Sequence, residues 1–431
     1  MGLIVAIFLL MFLLIFGAPV VFAVAVAGLS YFVVNPELWE IIAIYPLRLF
    51  TGMDSFVFLC IPMFVMAGEV MNCGGLMEDL VHFCQVMVGR FKGGLAHVNV
   101  LASMMFGGIT GSGLADVSAL GPIEIRMMKN AGYKTSFAAA VTACSAVQGP
   151  IIPPSIPFVI FASLTNTSIG ALFLSGAIPG VMIGLSQMLV IVWMSRKAGF
   201  PEPSPRTSWR EKLTAAKTAV FALFMPIIIL GGILTGFFTP TEASVIAVFY
   251  CFIIAKFYYK SISAKDLRTI LINTAKTSGS IYLIVGFAST IGWALAHENV
   301  PALISEMIVK HNVSPYELLF YVNLFFLFNG MWLSDAAQLV LFAPLFTPIF
   351  MSMGISPIHF GCVMVVNVMI SMITPPYGAA LYLASIVSGE SLLAITKDAI
   401  PFIISSIVVL FLITYFPVFT MTLPRLFGMA M

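Results

Sequence analysis

The residues able to do chemistry in this chain are oxygen carriers and small residues set inside apolar sequence. Thr110-Gly111-Ser112-Gly113, with Asp116 shortly after, interrupts one apolar run, and Gly330-Met331-Trp332-Leu333-Ser334-Asp335 interrupts another. Gln148-Gly149-Pro150 leads into Ile151-Ile152-Pro153-Pro154-Ser155, and Ser371-Met372-Ile373-Thr374 leads into Pro375-Pro376-Tyr377. Proline removes a backbone donor and clashes with the preceding turn, so two in a row break a helix. At a break inside a membrane, freed carbonyls and nearby hydroxyls suit a hard cation such as Na⁺, whereas half-helix N-termini suit an anionic group. On this reading Thr110, Gly111, Ser112, Gly149, Pro150, Gly330, Ser334, Asp335, Ser371, Met372 and Thr374 are candidate ion-binding residues. Asp116, Gln148, Ser155, Trp332 and Tyr377 are candidates for contacting substrate.

Each cluster has a plainer reading. Glycines and serines also let membrane helices pack closely. Asp116 and Asp335 read equally well as functional carboxylates at membrane depth or as first-turn acids that satisfy backbone donors. Glu242, after Thr239-Pro240-Thr241, reads as an early-turn acid near a helix start. His297 and His359 have no ligand spacing, and the six cysteines show no Cys-x-x-Cys pattern and read as small apolar residues. The Gly-x4-Gly-Lys-Ser/Thr, His-Glu-x-x-His and Gly-x-Ser-x-Gly motifs are absent, so neither a phosphate loop nor an enzyme is expected. A net charge of +2 gives no reason to expect nucleic acid as a partner.

The elements that position these residues lie in a bilayer. Of 431 residues, 60% are hydrophobic and 9% charged, against about 25% charged in soluble domains. So much apolar surface cannot be hidden in a soluble core, which makes the chain an all-α polytopic membrane protein. The N-terminus is apolar from its start and lacks a basic region, so a retained membrane helix is expected there. Apolar segments follow at about 2–16, 19–35, 54–72, 133–165, 168–195, 217–237, 240–259, 274–296, 356–388 and 398–423. The interrupted runs at about 93–128 and 314–351 read as re-entrant hairpins, and the Pro-Pro segments at 133–165 and 356–388 as broken helices. Residues 198–216 read as a hydrophilic cytoplasmic linker, and about 76–90 and 300–311 as amphipathic helices along an interface.

The clusters also repeat. The two Pro-Pro pairs stand 222 residues apart (153 to 375), and at the same offset Gly108 matches Gly330 and Pro122 matches Pro344. Two halves, 1–197 and 217–431, would each hold five crossings and one hairpin. Five is odd, so the second half runs inverted with respect to the first. Arg90, Lys92, Arg126, Lys129, Lys134, Arg196, Lys197, Arg206, Arg210, Lys212, Lys217, Lys256, Lys260, Lys265 and Arg268 then fall on one face, which the positive-inside rule makes cytoplasmic. Hairpin one would open from the cytoplasm and hairpin two from outside.

Several stretches resemble one family closely. Gly111-Ser112-Gly113-Leu114-Ala115-Asp116-Val117, Ala131-Gly132-Tyr133, Ile151-Ile152-Pro153-Pro154-Ser155-Ile156-Pro157 and Leu172-Phe173-Leu174-Ser175-Gly176-Ala177-Ile178-Pro179-Gly180 lie in the first half. Phe238-Thr239-Pro240-Thr241-Glu242-Ala243 and Thr374-Pro375-Pro376-Tyr377-Gly378 lie in the second. Together they resemble the large membrane subunit of tripartite ATP-independent periplasmic (TRAP) transporters, the DctM-like family. The resemblance implies Na⁺-driven import of an organic acid, such as a C4-dicarboxylate, sialic acid or other carboxylate, across a bacterial inner membrane. It implies two partners, a periplasmic substrate-binding protein and a separate small membrane subunit of about four helices. It also implies an elevator, in which a transport domain bearing the hairpins slides against a scaffold. Candidate scaffold helices are 19–35, 54–72, 240–259 and 274–296. Two alternatives stand beside this reading: a self-sufficient carboxylate carrier, and a scaffold subunit that moves no solute.

Overall fold

The computed structural model describes residues 2–197, 199–201, 207–376 and 378–429. Candidate Tyr377 and residues 198 and 202–206 of the expected linker lie outside the described residues. Among those described there is no strand. The first half runs through α1 (Gly2–Ile15), α2 (Val20–Val34), α3 (Ile44–Met53), α4 (Cys60–Cys73), α5 (Leu76–Val88), α6 (Gly94–Thr110), α7 (Gly113–Ala119), α8 (Gly121–Asn130), α9 (Thr135–Ser145), α10 (Ile156–Thr165) and α11 (Ile169–Lys197). The second runs through α12 (Trp209–Thr218), α13 (Val220–Leu234), α14 (Pro240–Ile253), α15 (Ala264–His297), α16 (Val300–Lys310), α17 (Pro315–Asn329), α18 (Asp335–Ser352), α19 (Pro357–Ser371), α20 (Ala379–Ser388), α21 (Leu392–Tyr415) and α22 (Val418–Leu426).

Among the described residues six stretches, ending in or built on α4, α11, α14, α15, α18 and α21, are long and apolar enough to cross a membrane, with a seventh if α12 and α13, bent by 60°, form one span. The remaining apolar helices, among them α6, α10, α19 and α20, are shorter. Glycine and proline stop them: α6 ends at Gly111, α9 runs out before Gly149, and α19 ends ahead of Pro375-Pro376.

Three elements differ from the sequence-based expectation. The second arm of hairpin one is not a single helix: α7 stops at Ala119 and α8 restarts at Gly121 with Pro122 in its first turn, where a missing N–H costs nothing. The expected linker contains α12, which runs two residues past its end. A capping box starts it: the Glu211 N–H donates to Ser208 Oγ (3.2 Å) and the Ser208 N–H donates to the Glu211 carboxylate (2.7 Å). The segment expected at 274–296 is part of the 34-residue α15, which begins at its own capping box on Ser263 and Asp266.

The helices pack in two groups. α15 lies against α2, α3 and α4 and meets the other group at α18, and α4 lies against α14. These include all four helices expected to form a scaffold. The other group centres on α9 and α19, in which every residue from Ser136 to Ser145 and from Ile358 to Ser371 is buried. A helix apolar and covered on all sides belongs to the middle of a bundle. The amphipathic α5 buries Leu76, Met77, Leu80, Val81 and Cys84, the i, i+4 and i, i+3 positions of one face, and packs on α6 and α12.

Candidate functional site

Hairpin one turns at Gly111. Its φ of +62° is left-handed, a conformation open to glycine without a Cβ clash, and its N–H donates to the Gly107 carbonyl at 3.0 Å. Ser112 then caps α7, its Oγ accepting the Ala115 N–H at 3.4 Å. Hairpin two turns between Gly330 and Ser334, and Ser334 caps α18 by accepting the Ala337 N–H, also at 3.4 Å. Ser112 and Ser334 are again 222 residues apart (112 to 334).

Each tip lies on its own half's break. A Cβ at Gly111 would stand 2.8 Å from the Pro154 carbonyl oxygen, and one at Gly149 would stand 3.1 Å from Gly107 Cα. Backbone therefore meets backbone where hairpin one crosses the first break. In the second half a Cβ at Gly330 would overlap the Ser371 side chain. Gln338 Nε2 donates to Ser371 Oγ at 3.4 Å. Thr374 Oγ1 donates to the Ile370 carbonyl at 3.0 Å, inside the last turn of α19. Both Pro-Pro bonds are cis.

The two halves also meet each other. A Cβ at Gly113 would lie 3.2 Å from Met372 Cε, α20 packs on α7 and α9, and α10 packs on α18. So Thr110, Gly111, Ser112, Gly149, Pro150 and Met372 come to one place, with Gly330, Ser334 and Ser371 grouped at the second tip. The other candidates are held differently. The Ser155 hydroxyl is engaged on both sides, donating to the Pro150 carbonyl and accepting the Phe158 N–H that starts α10. Gln148 turns to α11 and donates to Gln187 Oε1 at 2.8 Å. Trp332 stacks edge-on against Phe328, ring centroids 4.4 Å apart. Asp335 is the first residue of α18, directly after its cap.

A cavity of about 290 Å³ opens between the two helix groups. Glu69 and Asn72 of α4 and Thr277 of α15 line one wall, and Thr110, Ser112 and Ser118 of hairpin one line the other. Glu69 accepts a hydrogen bond from Asn273 Nδ2 at 3.1 Å, which fixes its position on that wall.

The comparison that decides the family is with the model for "Tripartite ATP-independent periplasmic transporter, DctM component", which matches residues 7–419. The chain belongs to this DctM family. Its members are transporter permease subunits and not enzymes. The chain is 36% identical over 415 residues to the sialic acid TRAP transporter large permease protein SiaM of Vibrio cholerae, covering 96% of each. It is 37% identical over 403 residues to the C4-dicarboxylate TRAP transporter large permease protein DctM of Pseudomonas aeruginosa, covering 94% of this chain and 93% of that one. Among solved structures, Neisseria gonorrhoeae MtrF superimposes with a TM-score of 0.61 at 12% identity, covering 88% of this chain and 84% of that one. At that identity the likeness speaks for the fold alone.

In this DctM-family chain the candidate set from sequence left out a group of buried polar residues. Asn99, Ser103, Thr142 and Ser145 form one network between α6 and α9: Asn99 Nδ2 donates to Thr142 Oγ1 (2.6 Å), Ser145 Oγ donates to Asn99 Oδ1 (2.8 Å), and the Ser103 and Ser145 hydroxyls stand 2.9 Å apart. Asn323, Asn367 and Thr414 form another: Asn323 Nδ2 donates to Thr414 Oγ1 (2.9 Å) and Asn367 Nδ2 donates to Asn323 Oδ1 (2.8 Å). Thr414 and Thr420 also engage His359, through the Thr414 carbonyl (3.2 Å) and Thr420 Oγ1 (2.7 Å), which makes His359 a bonded core residue. Glu124 was missed as well. In sequence it stands two residues before Arg126, and nothing there shows that the neighbouring helices close over it.

Proposed function

We propose that this chain is the large permease subunit of a Na⁺-coupled, binding-protein-dependent importer of an organic acid. The observation that carries this reading is the pairing of each hairpin tip with its own half's helix break, at Gly107–Gly149 and at Gly330–Ser371. Broken backbone at membrane depth is tolerated where protein or a water-filled cavity lines it, and such places hold coupling ions in secondary transporters. The donors grouped there are carbonyls and the hydroxyls of Thr110, Ser112, Ser334, Ser371 and Thr374. These are hard oxygen ligands suited to a small alkali cation and not to a soft metal. The substrate's carboxylate would lie in the cavity between hairpin one and α4, with Na⁺ supplying the positive charge its walls lack.

The two halves form an inverted repeat in this reading, with hairpin one facing the cytoplasm and hairpin two the periplasm. The group of α2, α4, α14 and α15 is the fixed scaffold, and the hairpin-bearing bundle moves against it across the bilayer. α5 and α16 are the arms joining the two. Sialic acid and C4-dicarboxylates, named for the relatives above, support a small carboxylate as the substrate class. A tripartite system supplies two further chains, a periplasmic binding protein and a small membrane subunit.

Reconstitution in proteoliposomes tests this. Uptake of a labelled carboxylate from a small panel is expected only with Na⁺ outside and with binding protein and small subunit both present. Full uptake by this chain alone would overturn the tripartite assignment, and uptake indifferent to Na⁺ would overturn the coupling.

A further inference from the structure

Glu124 on α8 is fully buried, and neither carboxylate oxygen has a hydrogen-bond partner among the described residues. Asp116 on α7 is 1% exposed; Ser103 stands beside it, but no hydrogen bond reaches either oxygen within normal geometry. α7 and α8 pack on each other at the break in the hairpin arm. Two carboxylates are thus enclosed in the same small body, behind the tip rather than on the cavity wall.

Among the described residues, α6, α7, α9 and α20, the helices packed on α8, carry no lysine or arginine. α7 offers Asp116, α6 offers the buried His97, α9 offers Cys144 and α5 offers Cys84. α20 presents no charged residue, and Arg126 and Lys129 on α8 itself are exposed on its other faces. Lys134, at the start of α9, is exposed and paired with Asp398 at 3.1 Å. An unpaired carboxylate in an apolar interior costs so much that the group takes up a proton instead. Two carboxyl groups sharing such a site cannot both ionise.

We propose that Glu124 is a proton-binding site carried on hairpin one, and that Asp116 and Glu124 together hold one proton in place of a second charge. Binding forms one O–H bond on the carboxylate with a proton drawn from the aqueous phase, and no electrons move. A proton bound there travels with hairpin one, so transport acquires a pH dependence separate from the Na⁺ ligands at the tip.

Infrared spectroscopy of the purified complex in H₂O and D₂O reads the proton directly. At neutral pH, the wild type is expected to show a carboxylic-acid carbonyl band that shifts in D₂O and is missing from Glu124→Gln. Identical wild-type and Glu124→Gln spectra in that region would overturn the assignment. If Glu124→Gln does not fold, Asp116→Asn serves: removing the neighbouring negative charge should make the band titrate away at lower pH than in wild type, and an unmoved titration overturns the pairing. In reconstituted uptake, the wild-type rate should fall at alkaline pH while the Glu124→Gln rate stays flat. The infrared readout needs no transport, so its failure is distinguishable from a failure of Na⁺ coupling.

Discussion

Ser145 and Asn367, 222 residues apart (145 to 367), each donate a hydrogen bond of 2.8 Å to the side-chain oxygen of an asparagine in the first arm of a hairpin, Asn99 for one and Asn323 for the other. The donor differs, a hydroxyl in one half and an amide in the other, but the contact is the same. Each ties a hairpin arm to the broken helix beside it. Losing one partner leaves a buried acceptor unpaired, which costs about 1–3 kcal/mol. Asn367→Ala should therefore lower the melting temperature of the purified protein. A double-mutant cycle with Asn323→Ala should return a coupling energy, and additive effects would mean the contact contributes nothing.

Gly330 and Ser371 make a second testable pair. Any Cβ at 330 overlaps the Ser371 side chain, so Gly330→Ala should abolish uptake or proper folding. Ser371→Gly removes the obstructing atoms, and the double variant should recover folding measured by size-exclusion profile. Failure of the double variant to recover would place the defect elsewhere in the tip.

The two caps separate structure from ion binding. Ser112→Ala and Ser334→Ala each lose an N-cap, a change of about 1 kcal/mol in stability. If the hydroxyls also hold Na⁺, the half-saturating Na⁺ concentration for uptake should rise several-fold in both variants. An unchanged Na⁺ dependence with the small stability loss would assign them to capping alone.

Asp335→Asn tests the first residue of α18 in the same assay. As a direct ion ligand, Asp335 should lose Na⁺-dependent uptake on this change. Full coupled transport by the variant would leave only its favourable interaction with the helix N-terminus.

At the base of hairpin two, Glu317 accepts the Ser314 N–H at 2.7 Å, and hydrogen bonds from the Ser314 backbone and side chain hold its carboxyl below the ordinary carboxylate range. A lowered pKa adds stability that is present above the unfolded value and is lost as pH falls through the folded one. Acid unfolding followed by circular dichroism should be flatter on its acidic limb in Glu317→Gln than in wild type.

The parts of this fold that act through backbone were legible in the sequence. Pro153-Pro154, Pro375-Pro376, Gly111 and Gly330 mark breaks and turns whatever surrounds them, because their effect is local. Ser208 and Glu211 carried an equally local signal for α12, one that hydropathy hides in a polar stretch. Glu124, Asn99 and Asn367 were not legible as site residues, because a polar side chain inside an apolar run becomes significant only when it is known which helices close over it. His359 shows the same limit from the other side: its two hydrogen-bond partners lie 55 and 61 residues away.

At Gly107 and Gly149 two backbones touch with no side chain between them. Ordinary helix interfaces slide because interlocked side chains can change rotamer, and here there are none to change. The crossing behaves as a rivet and not as a bearing. In the proposed elevator, hairpin one and the first break would then be carried across the bilayer as one body. It also follows that a side chain at residue 107 or 149 is not relieved by any change at the other, since each methyl group would meet the other's main chain.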